Sequence, residues 1–332
     1  MHPMRLRTVS PRSRGWTRRR AGRGFTYLDH EGERLPAPDV ERIRSLAIPP
    51  AWQDVWICPL PNGHIQAVGT DAAGRRQYLY HPDWRTKRDE AKFDRVLTAA
   101  KRLPKVRAQV VEDLALDGMP LTRATATAVR LLDLGYFRIG SQTYTDEHGS
   151  FGLTTLERSH VRATKGALVF AFTGKSGVEQ EVIIDDPSIA EPLKVLRSRR
   201  GGSDRLLAYR DGRRWADLDA ALVNAYLAEL FGGEVTAKDF RTWHATVHAA
   251  VALARSEEPG DTKASRRRAV KAAVEEVAAY LGNTPTIAKN SYIDPRVLDL
   301  YDSGTVLQLT TRKRTPEQEQ AYVERAVRRL LS

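Results

Sequence analysis

Along the 332-residue chain the period of apolar and polar positions changes near residue 88. Before that point short runs alternate. GFTYLDHEGERL predicts two strands around a His-Glu-Gly turn, and HIQAVGTDAAGRRQYLYH predicts two more around Asp71 to Gly74. Between them, APDVERIRSLAIPPAW predicts a short helix ended by Pro49-Pro50. Beyond residue 88 apolar residues recur at helical spacing. Thr122 to Leu134 predicts a helix stopped by Gly135. Leu218, Leu222, Tyr226 and Leu230 predict another, capped by Asp217 and stopped by Gly232-Gly233. Thr236 and Asp239 form a capping-box start for a helix running towards Arg255. Val270, Val274, Val277 and Leu281 line the next, ended by Gly282. Thr284 and Pro285 open a short helix carrying Tyr292, and Thr315-Pro316 opens a last amphipathic one. GLTTLERSHV, ALVFAFTG and EQEVIID interrupt the helices as a β island.

The expected fold class is therefore α+β. A small β-rich domain occupies residues 24–90, and a larger, mainly helical domain with a short sheet or hairpin insertion occupies residues 91–332. An apolar content of 41% is ample for two cores. No run reaches the roughly 18 uncharged apolar residues of a membrane helix, and the charged N-terminus lacks the apolar stretch of a secretory signal, so a soluble, cytoplasmic protein is expected. The single cysteine, Cys58 in VWICPL, rules out an internal disulfide and a zinc cluster and reads as a small buried hydrophobe.

Net charge changes the picture more. Of the formal +12, eight charges are arginines in the first 24 residues, which hold no acid, so the rest of the chain carries only +4. Residues 1–23 read as a disordered basic arm able to neutralise phosphates without sequence preference. With so small a charge on the body, any polyanion site there is a local patch.

Several reaction classes are disfavoured by what is missing. The chain holds no Walker-type phosphate loop, no HExxH, no GxSxG and no carboxylate cluster spaced for magnesium. A basic protein acting on nucleic acid without these needs a side-chain nucleophile, and tyrosine can serve. A phenol with an ordinary pKa near 10 needs cations or a proton acceptor beside it. A phosphodiester under attack calls for arginines, which bind phosphate through two parallel bonds. The leaving oxygen calls for a proton, which lysine can give. Candidates stand at turns and helix starts: Arg138 in LGYFRIGSQTY, Lys175 in the hairpin turn FTGKSG, Lys238 and Arg241 one helical turn apart in AKDFRTWHAT, and Tyr292 in AKNSYIDPR. Each alone also has an ordinary reading: a solvated cation, a carbonyl cap or a half-buried aromatic.

Taken in order, these segments resemble the type IB DNA topoisomerases in their compact poxviral and bacterial form. YFRIGSQTYTDEHGSFGLTTLERSHV is similar to the stretch carrying that family's first catalytic arginine. VFAFTGKSG resembles its lysine hairpin, with Lys175 lying 37 residues after Arg138. KDFRTWHAT resembles its second-arginine helix, and LGNTPTIAKNSYIDPR its nucleophile segment. GHIQAVGTDAAGRRQYLYHPDW resembles its DNA-clamping domain. The resemblance implies catalysis by Tyr292, Arg138, Lys175 and Arg241, relaxing supercoiled duplex DNA through a 3′-phosphotyrosine with neither ATP nor metal nor any other cofactor. It implies DNA contacts by Arg76, Tyr78 and Tyr80, which alternation puts on one strand face, and by Tyr144 and Lys238. A monomer suffices for such a reaction.

In one place the chain departs from the family pattern. Where many relatives carry histidine nine residues before the tyrosine, this chain has Asn283. Its amide can donate to a non-bridging phosphate oxygen but cannot carry charge, and Gly282-Asn283 also reads as a helix stop; both roles are expected. His244 and His248 read as packing or outer residues. A tyrosine recombinase shares the Arg, Lys, Arg and Tyr set, but usually has histidine three residues before its second arginine, where Lys238 stands, and carries a helical N-terminal domain. A non-catalytic basic DNA-binding protein is the other alternative.

Overall fold

Two hairpins and a bridging strand organise the N-terminal part of the computed structural model, which describes residues 5–164, 166–256 and 262–332. The chain divides into two units, Met1–Lys92 and Phe93–Ser332. In the first, β1 (Trp16–Ala21), β2 (Gly24–Leu28), β3 (Gln53–Ile57), β4 (Ile65–Thr70) and β5 (Arg76–Tyr80) form an antiparallel sheet in the order β2-β1-β3-β4-β5. Helix α1 (Ala37–Ser45) brings Ile43 into a small core with Ile48, Val55, Ile57 and Ala67, against which Trp16 and Trp52 pack.

Strand β1 corrects the expectation of a disordered arm. Its register pairs Thr17 with Leu28 and Arg20 with Phe25, through a turn in which Gly22 takes φ +57°. Arg18 is consumed structurally: its guanidinium donates to the carbonyls of Ile48, Pro49 and Trp52 and lies 4.2 Å from the centre of the Phe25 ring. The arginines thus occupy a strand whose composition hid its alternation. Likewise, β2 pairs with β1, whereas the run after the His-Glu-Gly turn makes only the Leu28–Arg34 bridge.

The second unit is mainly helical. Helix α2 (Pro82–Leu114) leads into it, followed by α3 (Leu121–Gly135) and α4 (Gln142–His148). A three-stranded antiparallel sheet, β6 (Val161–Ala163), β7 (Leu168–Thr173) and β8 (Glu179–Ile184), comes next. Then follow α5 (Pro187–Ser198), the hairpin β9 (Ala208–Asp211) and β10 (Arg214–Asp217), and α6 (Ala220–Phe231). The chain continues through α7 (Ala237–Ala254), α8 (Lys263–Leu281), α9 (Pro285–Ser291), α10 (Pro295–Asp302) and α11 (Pro316–Leu330). One continuous core includes Leu131, Leu132, Phe170, Leu193, Val277 and Val327. No helix among the described residues is long and apolar enough to cross a membrane.

Two local expectations change. GLTTLERSHV folds mostly as two 3₁₀ turns, Leu153–Thr155 and Arg158–His160, because the N–H groups of Leu153 and Thr154 are taken by the carbonyls of Arg138 and Ile139 at 2.8 Å each. The cap of α6 is Asp219, whose carboxylate accepts from the Leu222 N–H; Asp217 ends β10 instead.

Candidate active site

Helix α7 carries Arg241 on its first turns, fixed by the capping box of Thr236 and Asp239. The side chain is 4% exposed and points at the ends of two other helices. Its guanidinium donates to the carbonyl of Tyr136, the residue that closes α3, and to that of Leu281, the last residue of α8, at 2.8 Å. Both are helix C-termini, where unpaired carbonyls and the helix dipole favour a cation. Burial pushes the Arg241 pKa down to about 10, with Tyr292 opposing that shift and the charge of Arg138 adding to it. A folded-state value of about 10 still leaves it charged at neutral pH.

Tyr292 sits beyond α9, half-buried, with its ring centre 5.3 Å from the Arg241 guanidinium and 6.0 Å from Lys238 Nζ. Its backbone is pinned. The Thr246 hydroxyl, which donates to the Thr242 carbonyl at 2.8 Å, also lies 3.3 Å from the Tyr292 carbonyl and accepts from the Asp294 N–H at 3.1 Å. Asp294 then caps α10.

Arg138 reaches the same helix end. Its Nη2 donates to the Gly282 carbonyl at 2.8 Å and to Asn283 Oδ1. Burial lowers its pKa, and Tyr292 opposes this. The backbone carrying it is locked where Gly140 and Gly152 cross; a Cβ on Gly152 would lie 2.5 Å from the Gly140 Cα, so only glycine fits. Gly282 is constrained twice, by φ +58° at the end of α8 and by the Gln180 side chain, 2.7 Å from where a Cβ would stand. Asn283 Nδ2 is buried and, among the described residues, has no hydrogen-bond partner.

Lys175 occupies the exposed tip of the β7–β8 hairpin, next to Ser176 at φ +67°. The base of that hairpin, at Gly174 and Gln180, lines a cavity together with Arg138 and Arg241. The sequence-predicted residues Arg138, Asn283, Arg241, Lys238 and Tyr292 are thus gathered around the ends of α3, α8 and α9, and Lys175 follows Gly174, which lines that cavity. Arg76, Tyr78 and Tyr80 belong to β5 in the other unit. There the two tyrosine rings stack at 6.0 Å, and Arg88 lies 5.6 Å from the centre of the Tyr80 ring. Tyr144 lies in α4, with its side chain outside the described residues. Among the described residues no group of three or more His, Cys, Asp or Glu is placed to hold a metal ion.

Residues 81–315, which hold the whole of this cluster, match the family described as eukaryotic DNA topoisomerase I, catalytic core, and residues 24–71 match bacterial DNA topoisomerase IB, N-terminal domain. The chain belongs to the type IB DNA topoisomerases. It is 31% identical over 302 residues to a DNA topoisomerase 1B of Acanthamoeba polyphaga mimivirus, covering 87% of this chain and 88% of that one. A DNA topoisomerase 1B of vaccinia virus (strain Copenhagen) is 21% identical over 249 residues, 74% of this chain and 75% of the viral one. A DNA topoisomerase 1 beta of Arabidopsis thaliana is 24% identical over 205 residues, 61% of this chain and 21% of the plant protein. This type IB topoisomerase is an isomerase acting on duplex DNA, and it joins the α+β fold expected of that family to the cluster just described.

Behind the cluster of this topoisomerase lies a layer that sequence reading missed. Asp133, 2% exposed, accepts two bonds from Arg107 and faces His244 at 3.1 Å. Arg107 also forks onto Glu324 at 2.8 Å. Burial alone would raise the Asp133 pKa, but the charge and bonds of Arg107, with His244, hold it well below the carboxylate range. The available signal was an acid inside the apolar run LLDLGYF. The outer role expected of His244 agrees with this position, and His248 bonds Glu276 nearer the surface at 2.7 Å.

Proposed function

We propose that the enzyme relaxes supercoiled duplex DNA by reversible transesterification through Tyr292, with neither ATP nor metal. The Tyr292 phenol loses its proton to solvent, and its oxygen attacks a backbone phosphorus. A phosphorus–tyrosine bond forms, the bond to the 5′-oxygen breaks, and the strand is left with a 3′-phosphotyrosine and a free 5′-hydroxyl. Lys175 gives the leaving oxygen its proton. Arg138 and Arg241, with the Asn283 amide, hold the charge that gathers on the non-bridging oxygens in the transition state. The free end swivels, the 5′-hydroxyl attacks in turn, and the strand is resealed. Because the phosphotyrosine keeps the energy of the broken bond, no external source is required.

The observation that carries this reading is the convergence of one buried and one half-buried guanidinium on one tyrosine, with the Arg241 guanidinium 5.3 Å from the centre of its ring and Arg138 close enough to feel the charge of the phenol. Both arginines are already oriented by helix-end carbonyls, so little ordering cost remains when a phosphate arrives. Arg76, Tyr78 and Tyr80 contact the duplex from the N-terminal unit in this reading, and Tyr144 and Lys238 contact phosphates beside the break. The enzyme works as a monomer on cytoplasmic DNA.

The test is relaxation of supercoiled plasmid in EDTA without ATP, followed by a denaturing gel. Wild type should relax the plasmid and yield a covalent protein–DNA adduct, whereas Tyr292→Phe should bind DNA about as well and yield neither. An adduct persisting in Tyr292→Phe would falsify the assignment.

A further inference from the structure

The C-terminal helix α11 lies past the segment matched by the catalytic-core family, yet it delivers a carboxylate, Glu324, that is 4% exposed and faces inward. A bare carboxylate at that depth is costly, and Arg107 answers it with two bonds at 2.8 Å. From there a chain of bonds runs without a gap. Arg107 Nη2 donates both to Glu324 Oε1 and to Asp133 Oδ1, and that same Asp133 oxygen faces His244 Nε2 at 3.1 Å. Arg130 adds a second cation 3.5 Å from Asp133.

His244 carries the path to the reacting groups. It lies one helical turn beyond Arg241 on α7, and its ring meets the Tyr136 ring edge-on at 4.5 Å between centres. Tyr136 is held at φ +53°, a region bulky residues avoid, and its carbonyl accepts from Arg241. Strain of this kind persists only where the surroundings impose it. The His244 and Tyr280 rings pack against Tyr136, each 4.5 Å away between centres.

We propose that Glu324 is a positioning residue for strand cleavage, acting through Arg107, Asp133 and His244 on the Tyr136 carbonyl that aims Arg241. This rests on the transesterification reading above. Arg107 faces two acids with one charge, so neutralising Glu324 shifts it onto Asp133 and changes the oxygen that His244 shares. The effect reaches Arg241 as a changed aim, and DNA affinity, which comes from other contacts, is left alone.

The experiment is Glu324→Gln in the full chain, alone and combined with Arg241→Ala, read by single-turnover cleavage, equilibrium DNA binding and thermal melting. Expected is a slowing of cleavage by about tenfold, within the range of measured couplings between residues in one network. DNA affinity should stay within about twofold, and the Gln substitution should have almost no further effect once Arg241 is absent. Glu324→Asp should recover part of the rate. Wild-type cleavage by Glu324→Gln, or equal slowing in both Arg241 backgrounds, overturns the proposal. Should Glu324→Gln fail to fold, Arg107→Lys keeps the charge, loses the fork and takes the same two-background test. A wild-type enzyme that forms no covalent adduct sinks the Tyr292 reading; an adduct formed at full speed by Glu324→Gln sinks only this one.

Discussion

Arg138 and Asn283 are joined by a hydrogen bond in which the asparagine is the acceptor. A guanidinium has only donors, so the amide oxygen must face it and the amide nitrogen must face away. That leaves Nδ2 as the group with a bond still to make. The amide is therefore already turned to donate.

This orientation ranks substitutions at position 283. Asn283→Ala should lose one hydrogen bond to a charged oxygen, worth about 1.5–3 kcal/mol. That corresponds to roughly 10- to 200-fold slower cleavage. Asn283→His should recover most of the rate. Asn283→Asp should cleave more slowly than Asn283→Ala, because it keeps the Arg138 contact but sets a carboxylate against the phosphate. Single-turnover rates with Asp faster than His would leave Asn283 as a helix stop and nothing more.

Lys175→Ala should slow cleavage by about 10²–10⁴-fold, the usual effect of losing a positioned proton donor. A substrate with sulfur at the bridging 5′ position carries a better leaving group and should restore cleavage in that variant. Without selective rescue, Lys175 is a phosphate contact, and the acid is sought next at Lys238, whose Nζ lies 6.0 Å from the centre of the Tyr292 ring.

Arg241 yields a pH prediction. Its folded-state value of about 10 lies below the ordinary arginine value, so the folded chain binds fewer protons than the unfolded chain only between the two. The cost of burying its charge is fully present at neutral pH and is relieved only above about 10, so wild-type cleavage should show no loss from this group up to pH 9. Arg241→Lys starts from an ordinary value about two units lower. Pressed down by the same burial, it should discharge within the assay range. Its single-turnover rate should fall between pH 7 and pH 9 relative to wild type, and parallel profiles would show that burial does not govern this site.

Truncation separates the arm from the sheet. Removing residues 1–14 takes away four arginines, Arg5, Arg7, Arg12 and Arg14, together with the bridge between Arg7 and Gly63, and spares β1. The fold should survive, and the salt dependence of DNA binding should weaken by about one unit of slope per arginine that had met a phosphate. Removing residues 1–23 takes away β1, through which β2 joins the sheet, and strips Trp16 from the small core. That should destabilise the N-terminal unit by about 2–5 kcal/mol, the range for losing a large apolar side chain from a core. Equal melting of the two truncations would show that β1 is dispensable.

Much of the site was legible because its residues lie at punctuation in the chain: Arg138 after Gly135, Lys175 between two glycines, Tyr292 before an Asp-Pro. Turn and cap chemistry is local, so a single sequence carries it. Strand β1 was obscured because Arg18 and Arg20 stand where alternation would put apolar residues, and Arg18 is accommodated only by carbonyls 30 to 34 residues away. The partners of Asp133 were hidden for a similar reason. An acid within LLDLGYF announces a buried counter-charge but cannot say which of many arginines supplies it. The answer, Arg107, is set by the tertiary fold, which brings a side chain of α2 to one of α3, and periodicity does not encode that.

Arg107 and Glu324 stand 217 residues apart in the chain, and their pairing has a consequence for the order in which the enzyme is made. A chain growing from its N-terminus completes Arg138, Arg241 and Tyr292 before residue 324 exists. Contacts of such long separation form late in folding, since the intervening loop must close first. Under the roles proposed for Tyr292 and Glu324, a nascent chain holds the proposed nucleophile and both arginines while Arg241 is still imperfectly aimed. On that reading, competence to cut DNA arrives only once α11 has been made and packed.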